Sequence, residues 1–192
     1  MRRHPLIRIH VLPGGELPRR MSTGAIGYDV TLRALVCPFK MDERNPYLRQ
    51  TLFDFKTLPT SRNMRKCVER DKGELVYLLK PRCQVLVGIG FMTDMPFPYA
   101  YWVAPRSGLA TRYKISVTNA PGTVDPDYRG EAGVAIFNQS KERGNGTFIL
   151  RQGMRIAQIV FFKAEIPELL PCPYRRLGKT VRGARGFGST GL

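Results

Sequence analysis

An amide, a carboxylate and a phenol lie close together in the stretch Asn119-Ala-Pro-Gly-Thr-Val-Asp125-Pro-Asp-Tyr128-Arg-Gly-Glu131. Asn119 offers both a donor and an acceptor, the pairing that reads the edge of a nucleobase. Asp125 is a carboxylate able to take a proton from water. Tyr128 is a flat ring with a hydroxyl, suited to packing on a sugar. Taken by itself the stretch also reads as a polar loop with no chemistry, because loops are ordinarily polar.

Three other pieces carry phosphate-binding chemistry. Arg106-Ser107-Gly108 puts a guanidinium, a hydroxyl and an open backbone side by side. Arg155 and Gln158 stand near each other at the entry to a predicted strand. The stretch from Arg182 through Gly186-Phe187-Gly188-Ser189-Thr190-Gly191 adds a guanidinium, two hydroxyls and exposed N–H groups. Arginine grips phosphate bidentately, and glycine-rich backbone forms anion-cradling nests. This last stretch has no Gly-Lys-Ser/Thr and is not a Walker loop. Phe187 among the glycines needs something to pack on, and a base is a natural partner. Read alone, a basic Gly-rich segment of this kind is equally a disordered tail.

Short strands position these groups. Lys114–Thr118 and Gly133–Phe137 are alternating and β-branched, and Pro-Gly and Asp-Pro-Asp between them are turn chemistry, so 119–131 is predicted to be a β-hairpin. Residues 6–12, Gln84–Phe91, Tyr99–Ala104, Thr147–Leu150 and Ile156–Lys163 give further strands. Gly27, before a strand that begins near Asp29, allows a bulge or a close backbone approach. Residues 37–80 have another texture, with mixed charge and little alternation. Leu48, Leu52 and Phe55 at helical spacing predict a helix over Tyr47–Phe55, and a second is predicted over Arg62–Arg70. Many short strands with Gly/Pro turns predict an all-β barrel or sandwich. The chain is read as one domain, 1–192, with 37–80 as a partly helical insertion and 167–192 as an extended arm.

Composition narrows the function classes. Hydrophobic residues make up 43% and charged residues 24%, enough apolar content for a packed core. No apolar run approaches the ~18 residues that span a bilayer, and the first residues lead into no apolar signal core, so a soluble, cytoplasmic protein is expected. Cys37, Cys67, Cys83 and Cys172 are far apart and form no C-x-x-C pair, which predicts free thiols and argues against structural zinc. The formal charge of +16 is shared equally among 1–20, 37–80, 81–162 and 163–192 and is not a basic tail. Such a field suits a small polyanion such as a nucleoside triphosphate. Nucleic acid has no recognition-helix, RNP-type or Cys/His finger pattern to support it.

Together these motifs resemble the homotrimeric type of deoxyuridine triphosphate nucleotidohydrolase (dUTPase). The five stretches are Ala25-Ile-Gly-Tyr-Asp29-Val, Pro105-Arg-Ser-Gly-Leu-Ala110, Asn119 through Glu131, Arg155-Ile-Ala-Gln158 and Arg182 through Gly191. The resemblance covers 6–36 and about 84–191, and 37–80 is longer than the family's usual connection. It implies a distorted β jelly roll, a homotrimer with shared active sites, and Mg²⁺-dependent hydrolysis of dUTP to dUMP and pyrophosphate. By the same resemblance Asn119, with the neighbouring backbone of Gly122 and Val124, reads uracil. Tyr128 packs on the deoxyribose, and Asp125 deprotonates the attacking water. Arg106, Ser107, Gly108 and Gln158 hold the phosphates from another subunit, and Asp29 reaches the metal through water. Arg182, Phe187, Gly188, Ser189 and Thr190 belong to an arm that closes over the site, with Phe187 covering the uracil. No carboxylate cage is visible, so Mg²⁺ is expected to be held mostly by triphosphate and water.

Two rivals remain. A dCTP deaminase, or a bifunctional deaminase–dUTPase, shares the fold but carries a catalytic Glu where this chain has Ala135; Glu131 and Glu142 do not align with it. Those enzymes also usually have a second Ser where this chain has Gly108. The other rival is a dUTPase-like binding or regulatory protein that uses the basic charge and residues 37–80.

Overall fold

Strand after strand carries alternating or continuous β-branched and aromatic residues, and pairing them is what builds the chain. The computed structural model describes residues 5–141 and 146–185. A five-stranded sheet takes β3 (Ala34–Met41), β4 (Arg49–Phe53), β7 (Gln84–Gly88), β10 (Ile115–Val117) and β12 (Gly133–Asn138), in the order β10-β12-β7-β3-β4. A four-stranded sheet takes β2 (Tyr28–Thr31), β9 (Tyr99–Pro105), β11 (Gly122–Val124) and β14 (Arg155–Lys163), in the order β11-β9-β14-β2. Two smaller sheets pair β1 (Arg8–Val11) with β8 (Phe91–Asp94), and order β5 (Val68–Asp71), β6 (Glu74–Leu79) and β13 (Phe148–Leu150) as β13-β6-β5. Leu35, Val87, Val134 and Ile136 from the first large sheet meet Val30, Val103 and Ile159 from the second in one buried cluster. Each such side chain contributes roughly 1.5–3 kcal/mol on burial. The architecture is all-β, as the strand pattern predicts.

The stretch 119–131 is more than a hairpin turn. Its flanks pair as expected, with Ile115 opposite Asn138 and Val117 opposite Ile136. Between them, however, the chain crosses to the other sheet, where Gly122 to Val124 pairs with Val103 to Tyr101. The candidate site is therefore built across the junction of the two large sheets.

Several local expectations are corrected. The helix predicted over Tyr47–Phe55 is strand β4, with Leu35 opposite Phe53 and Val36 opposite Thr51. A helix that short has little intrinsic stability. Pairing with β3 instead buries Phe53 against Phe55, ring centroids 4.4 Å apart, and leaves Leu52 at the surface. The helix predicted over Arg62–Arg70 lasts one turn, α1 (Arg62–Arg65). The chain then enters β5 and reverses through Lys72 and Gly73, both at positive φ, the tight turn that suits two antiparallel strands. The strand predicted over Gln84–Phe91 breaks after Gly88. Gly90 has a φ of 80°, and a Cβ on it would lie 2.4 Å from the Cα of Gly15. Arg106-Ser107-Gly108 leads into an unforeseen helix, α2 (Ser107–Tyr113), which ends at Lys114 in the left-handed region.

Candidate active site

The candidate side chains fall into two groups. In the first, Asn119, Gly122, Val124, Asp125 and Tyr128 line one cavity of about 190 Å³. That is smaller than the roughly 300–1,000 Å³ of drug-sized ligand sites, a space for one ring. Asp125-Pro-Asp-Tyr128 makes a turn in which the Tyr128 N–H donates to the Asp125 carbonyl at 3.2 Å, with proline at the position that favours it. This turn brings carboxylate and ring into the lining of the same cavity. Asp125 also borders a second, more apolar cavity with Phe97, Pro98, Phe162 and Ile166.

The Asn119 amide is engaged at both ends by β12. Its Oδ1 accepts from the Ala135 N–H at 3.1 Å, and its Nδ2 donates to the Gly133 carbonyl at 3.3 Å. The side chain thus extends the ladder past the end of β10 and fixes the cavity wall, leaving one acceptor and one donor site unfilled. Tyr128 is held as firmly. Its hydroxyl donates to the Glu131 carbonyl at 3.0 Å.

Glu131 anchors the far end of the stretch. Its residue is 2% exposed, and its carboxylate accepts from Arg33 Nε at 2.7 Å, Arg33 Nη2 at 2.6 Å and the Gly90 N–H at 2.8 Å. The carboxylate occupies the space above Gly88, where a Cβ would come within 2.4 Å of Oε1. Opposite Val124 in the β9–β11 ladder, burial pushes the Tyr101 phenol well above its ordinary range; a Thr93 hydrogen bond opposes this and the nearby Tyr128 adds to it.

The second group gathers where β2, β9 and β14 meet. Asp29, its side chain 13% exposed, accepts from Arg106 Nε at 3.3 Å and from Arg155 Nη1 at 3.0 Å. One carboxylate thus aims two guanidinium groups and leaves the cluster cationic. Gln158 pairs with Asp29 across the ladder, and its Nε2 donates to the Pro105 carbonyl at 3.1 Å. Its Oε1 lies 2.4 Å from where a Cβ on Gly27 would be. Gly27 is thus the close approach that its type suggests, and its neighbour is Gln158. Ser107 and Gly108 are exposed at the start of α2, with open space beside Gly108.

The cavity of the first group has none of Arg106, Ser107 or Gln158 in its lining. Arg182 is exposed and donates through Nε to the Arg185 carbonyl. Phe187, Gly188, Ser189 and Thr190 lie outside the described residues. The position of the deaminase glutamate is Ala135, buried in β12. Among the described residues no three His, Cys, Asp or Glu converge as a metal site, and no helix is long and apolar enough to cross a membrane.

One residue that no motif marks also belongs to the cavity. Arg49 of β4 lines it beside Tyr128 and Asn119. It comes from the segment read as having no chemistry. Tyr47 from the same segment accepts the Glu131 N–H at 3.4 Å, so this segment is docked on the stretch that carries the site.

A family model described as dUTPase matches residues 74–191. The deoxyuridine 5'-triphosphate nucleotidohydrolase of Rhizobium etli is 41% identical over 120 residues, which are 62% of this chain and 73% of that protein. Its counterpart from Helicobacter hepaticus is 43% identical over 115 residues, 60% of this chain and 69% of that one. Among solved structures, a mutant of the dUTPase of Staphylococcus bacteriophage 80alpha with dUpNHpp superposes with a TM-score of 0.67 at 18% identity, covering 97% of this chain and 99% of that one. A dUTPase mutant from phage phi11 of S. aureus, which coordinates a structural Mg(II) ion, gives a TM-score of 0.59 at 16% identity over 87% and 96%. At these identities the structural likeness speaks for the fold, which is the distorted jelly roll.

Proposed function

The chain belongs to the dUTPase family, and on that premise we propose that it hydrolyses dUTP to dUMP and pyrophosphate. The observation that carries the reading is the one cavity that Asn119, Asp125 and Tyr128 all line. Asn119, with the backbone of Gly122 and Val124, reads the uracil edge. Tyr128 packs on the deoxyribose, and its hydrogen bond to the Glu131 carbonyl keeps it where a 2′-hydroxyl would clash. Asp125 takes a proton from water as the water oxygen bonds to the α-phosphorus. The bond from that phosphorus to the bridging oxygen breaks, and pyrophosphate leaves. Positioning and charge neutralisation suffice for such a transfer, with no covalent nucleophile.

Arg106, Ser107, Gly108 and Gln158 hold the phosphates, with Asp29 aiming Arg106 and Arg155. Because the base cavity does not include these residues, we place them in a neighbouring subunit's site and read the protein as a homotrimer with shared active sites. Magnesium fits this chain as an ion carried in by the triphosphate and water. Asp29, already engaged by two arginines, would meet the ion through water, and the described residues offer no cage. When bound, the ion would neutralise charge on the phosphates. The arm, 167–192 of this single domain, closes over the site through Arg182, Phe187, Gly188, Ser189 and Thr190. We read the enzyme as cytoplasmic, in keeping with a free nucleotide as its substrate.

Incubation with Mg²⁺ and, separately, dUTP and dCTP tests the reading. dUMP and pyrophosphate from dUTP alone are expected. Uracil products from dCTP would favour the deaminase, and no turnover of either would favour a binding protein.

A further inference from the structure

Residues 37–80 contribute something to the pocket that the motif-bearing residues do not. Arg49 Nη1 donates to the Pro38 carbonyl at 2.6 Å, which holds the side chain against β3. Its Nε is buried and has no hydrogen-bond partner, and it is the one buried side-chain polar atom in that condition among the described residues. An orphaned buried donor costs free energy, and more when it is charged. Arg49 as a residue lines the cavity whose Asn119 amide is already engaged at both ends by backbone. Arg49 thus adds to the cavity lining a guanidinium held at Nη1 and unpaired at Nε, and a ligand carbonyl would supply the missing acceptor.

We propose that Arg49 is a specificity-determining residue of the pyrimidine pocket, donating to a carbonyl oxygen of uracil and selecting it over cytosine. This rests on reading the cavity as the base site. A guanidinium has five N–H donors and no acceptor. The 4-position of uracil, like that of thymine, is a carbonyl acceptor, whereas that of cytosine is an amino donor. A donor-only group facing that position is satisfied by uracil and is left facing another donor by cytosine. Sites that hydrogen-bond a substrate group reject analogues that leave the buried partner unpaired. The geometry suits such a role. β4 is paired to β3 in the five-stranded sheet, and the Tyr47 carbonyl clips the same segment to Glu131. The donor therefore sits on a fixed element and not on a free loop.

The experiment compares kcat/KM for dUTP, dCTP and dTTP in wild-type protein, Arg49→Met and Arg49→Lys. Met keeps an unbranched apolar stem and removes every donor. Lys keeps the charge and can still reach the Pro38 carbonyl, so it separates folding from recognition. Losing one charge-assisted hydrogen bond predicts that Arg49→Met lowers kcat/KM for dUTP about 10–100-fold. It should lower dTTP by a similar factor and leave dCTP within about twofold, narrowing the uracil-to-cytosine ratio by the same amount. Arg49→Lys should fall between. A parallel fall for dUTP and dCTP would overturn the proposal, because it marks a structural or phosphate-directed role. An unchanged ratio in a well-folded Arg49→Met would overturn it as well. Wild-type protein inert toward dUTP would instead overturn the reading of the cavity on which the proposal rests.

Discussion

Replacing Glu131 by Gln changes one oxygen to an amide, in a place where the structure makes that change expensive. The carboxylate takes three short hydrogen bonds, two from Arg33 and one from the Gly90 N–H. Its side chain is 1% exposed and that of Arg33 11%. With Gln, one oxygen still accepts from Gly90 and Arg33 Nε, but an NH2 group meets Arg33 Nη2 and the guanidinium loses its counter-charge. Breaking one side of a buried ion pair costs about 3–5 kcal/mol. With a urea dependence of about 2–3 kcal/mol per molar, the upper part of the usual range, the midpoint should fall by about 1–2.5 M. Equilibrium unfolding in urea reads this directly, at one protein concentration because association would shift the curve. Trp102, the single tryptophan, stacks on Phe162 with centroids 4.3 Å apart and serves as the reporter. The double replacement Arg33→Met with Glu131→Leu should recover only part of the loss: an apolar pair needs no counter-ion, but the buried Gly90 N–H loses its acceptor. A midpoint within about 0.3 M of wild type for Glu131→Gln, at unchanged slope, would refute the argument.

Asp125→Asn should bind dUMP as wild type does and lose turnover about 10²–10⁴-fold, read by pyrophosphate release; near-normal turnover would remove Asp125 as the base. Deleting 182–192 should lower kcat about 10²-fold or more without changing the sedimentation of the protein, because misplacing the reacting groups costs that much; full activity would refute closure by the arm. Burial, and then the neighbouring Cys67, pushes the Tyr77 phenol from 10.0 up to about 12. The unfolded chain therefore loses that proton first, so the contribution is intact below pH 10 and is lost as pH rises from 10 toward 12. Thermal midpoints across that window should fall less steeply in Tyr77→Phe, and identical slopes would exclude the linkage.

The site was legible where chemistry and local sequence coincide. Asn119, Asp125 and Tyr128 stand within ten residues and come together in one cavity. Arg106, Gln158 and Asp29 come from separate stretches and still converge at the junction of β2, β9 and β14. What stayed hidden depends on partners distant in the chain. Glu131 reads as a loop carboxylate until Arg33, 98 residues away, meets it. Arg49 sits in a segment whose leucine spacing mimics a helix, and nothing local reveals that β3 will claim it as a strand. Lys72-Gly73 between two β-rich runs was a usable hairpin signal for β5 and β6.

The segment between β3 and β6 has a consequence for how such a chain can change in length. It supplies the edge strand of the five-stranded sheet and, through β6, the central strand of the β13-β6-β5 sheet. It also lends Phe53, Phe55, Leu75 and Leu79 to the shared core. Trimming it a few residues at a time would strand β13 without a partner and open the core before any shorter connection could close it. A chimera that joins β3 to β7 by a tight turn must therefore exchange the underlying apolar residues in the same step. Length at this position is set by whole-module replacement, and not by gradual erosion.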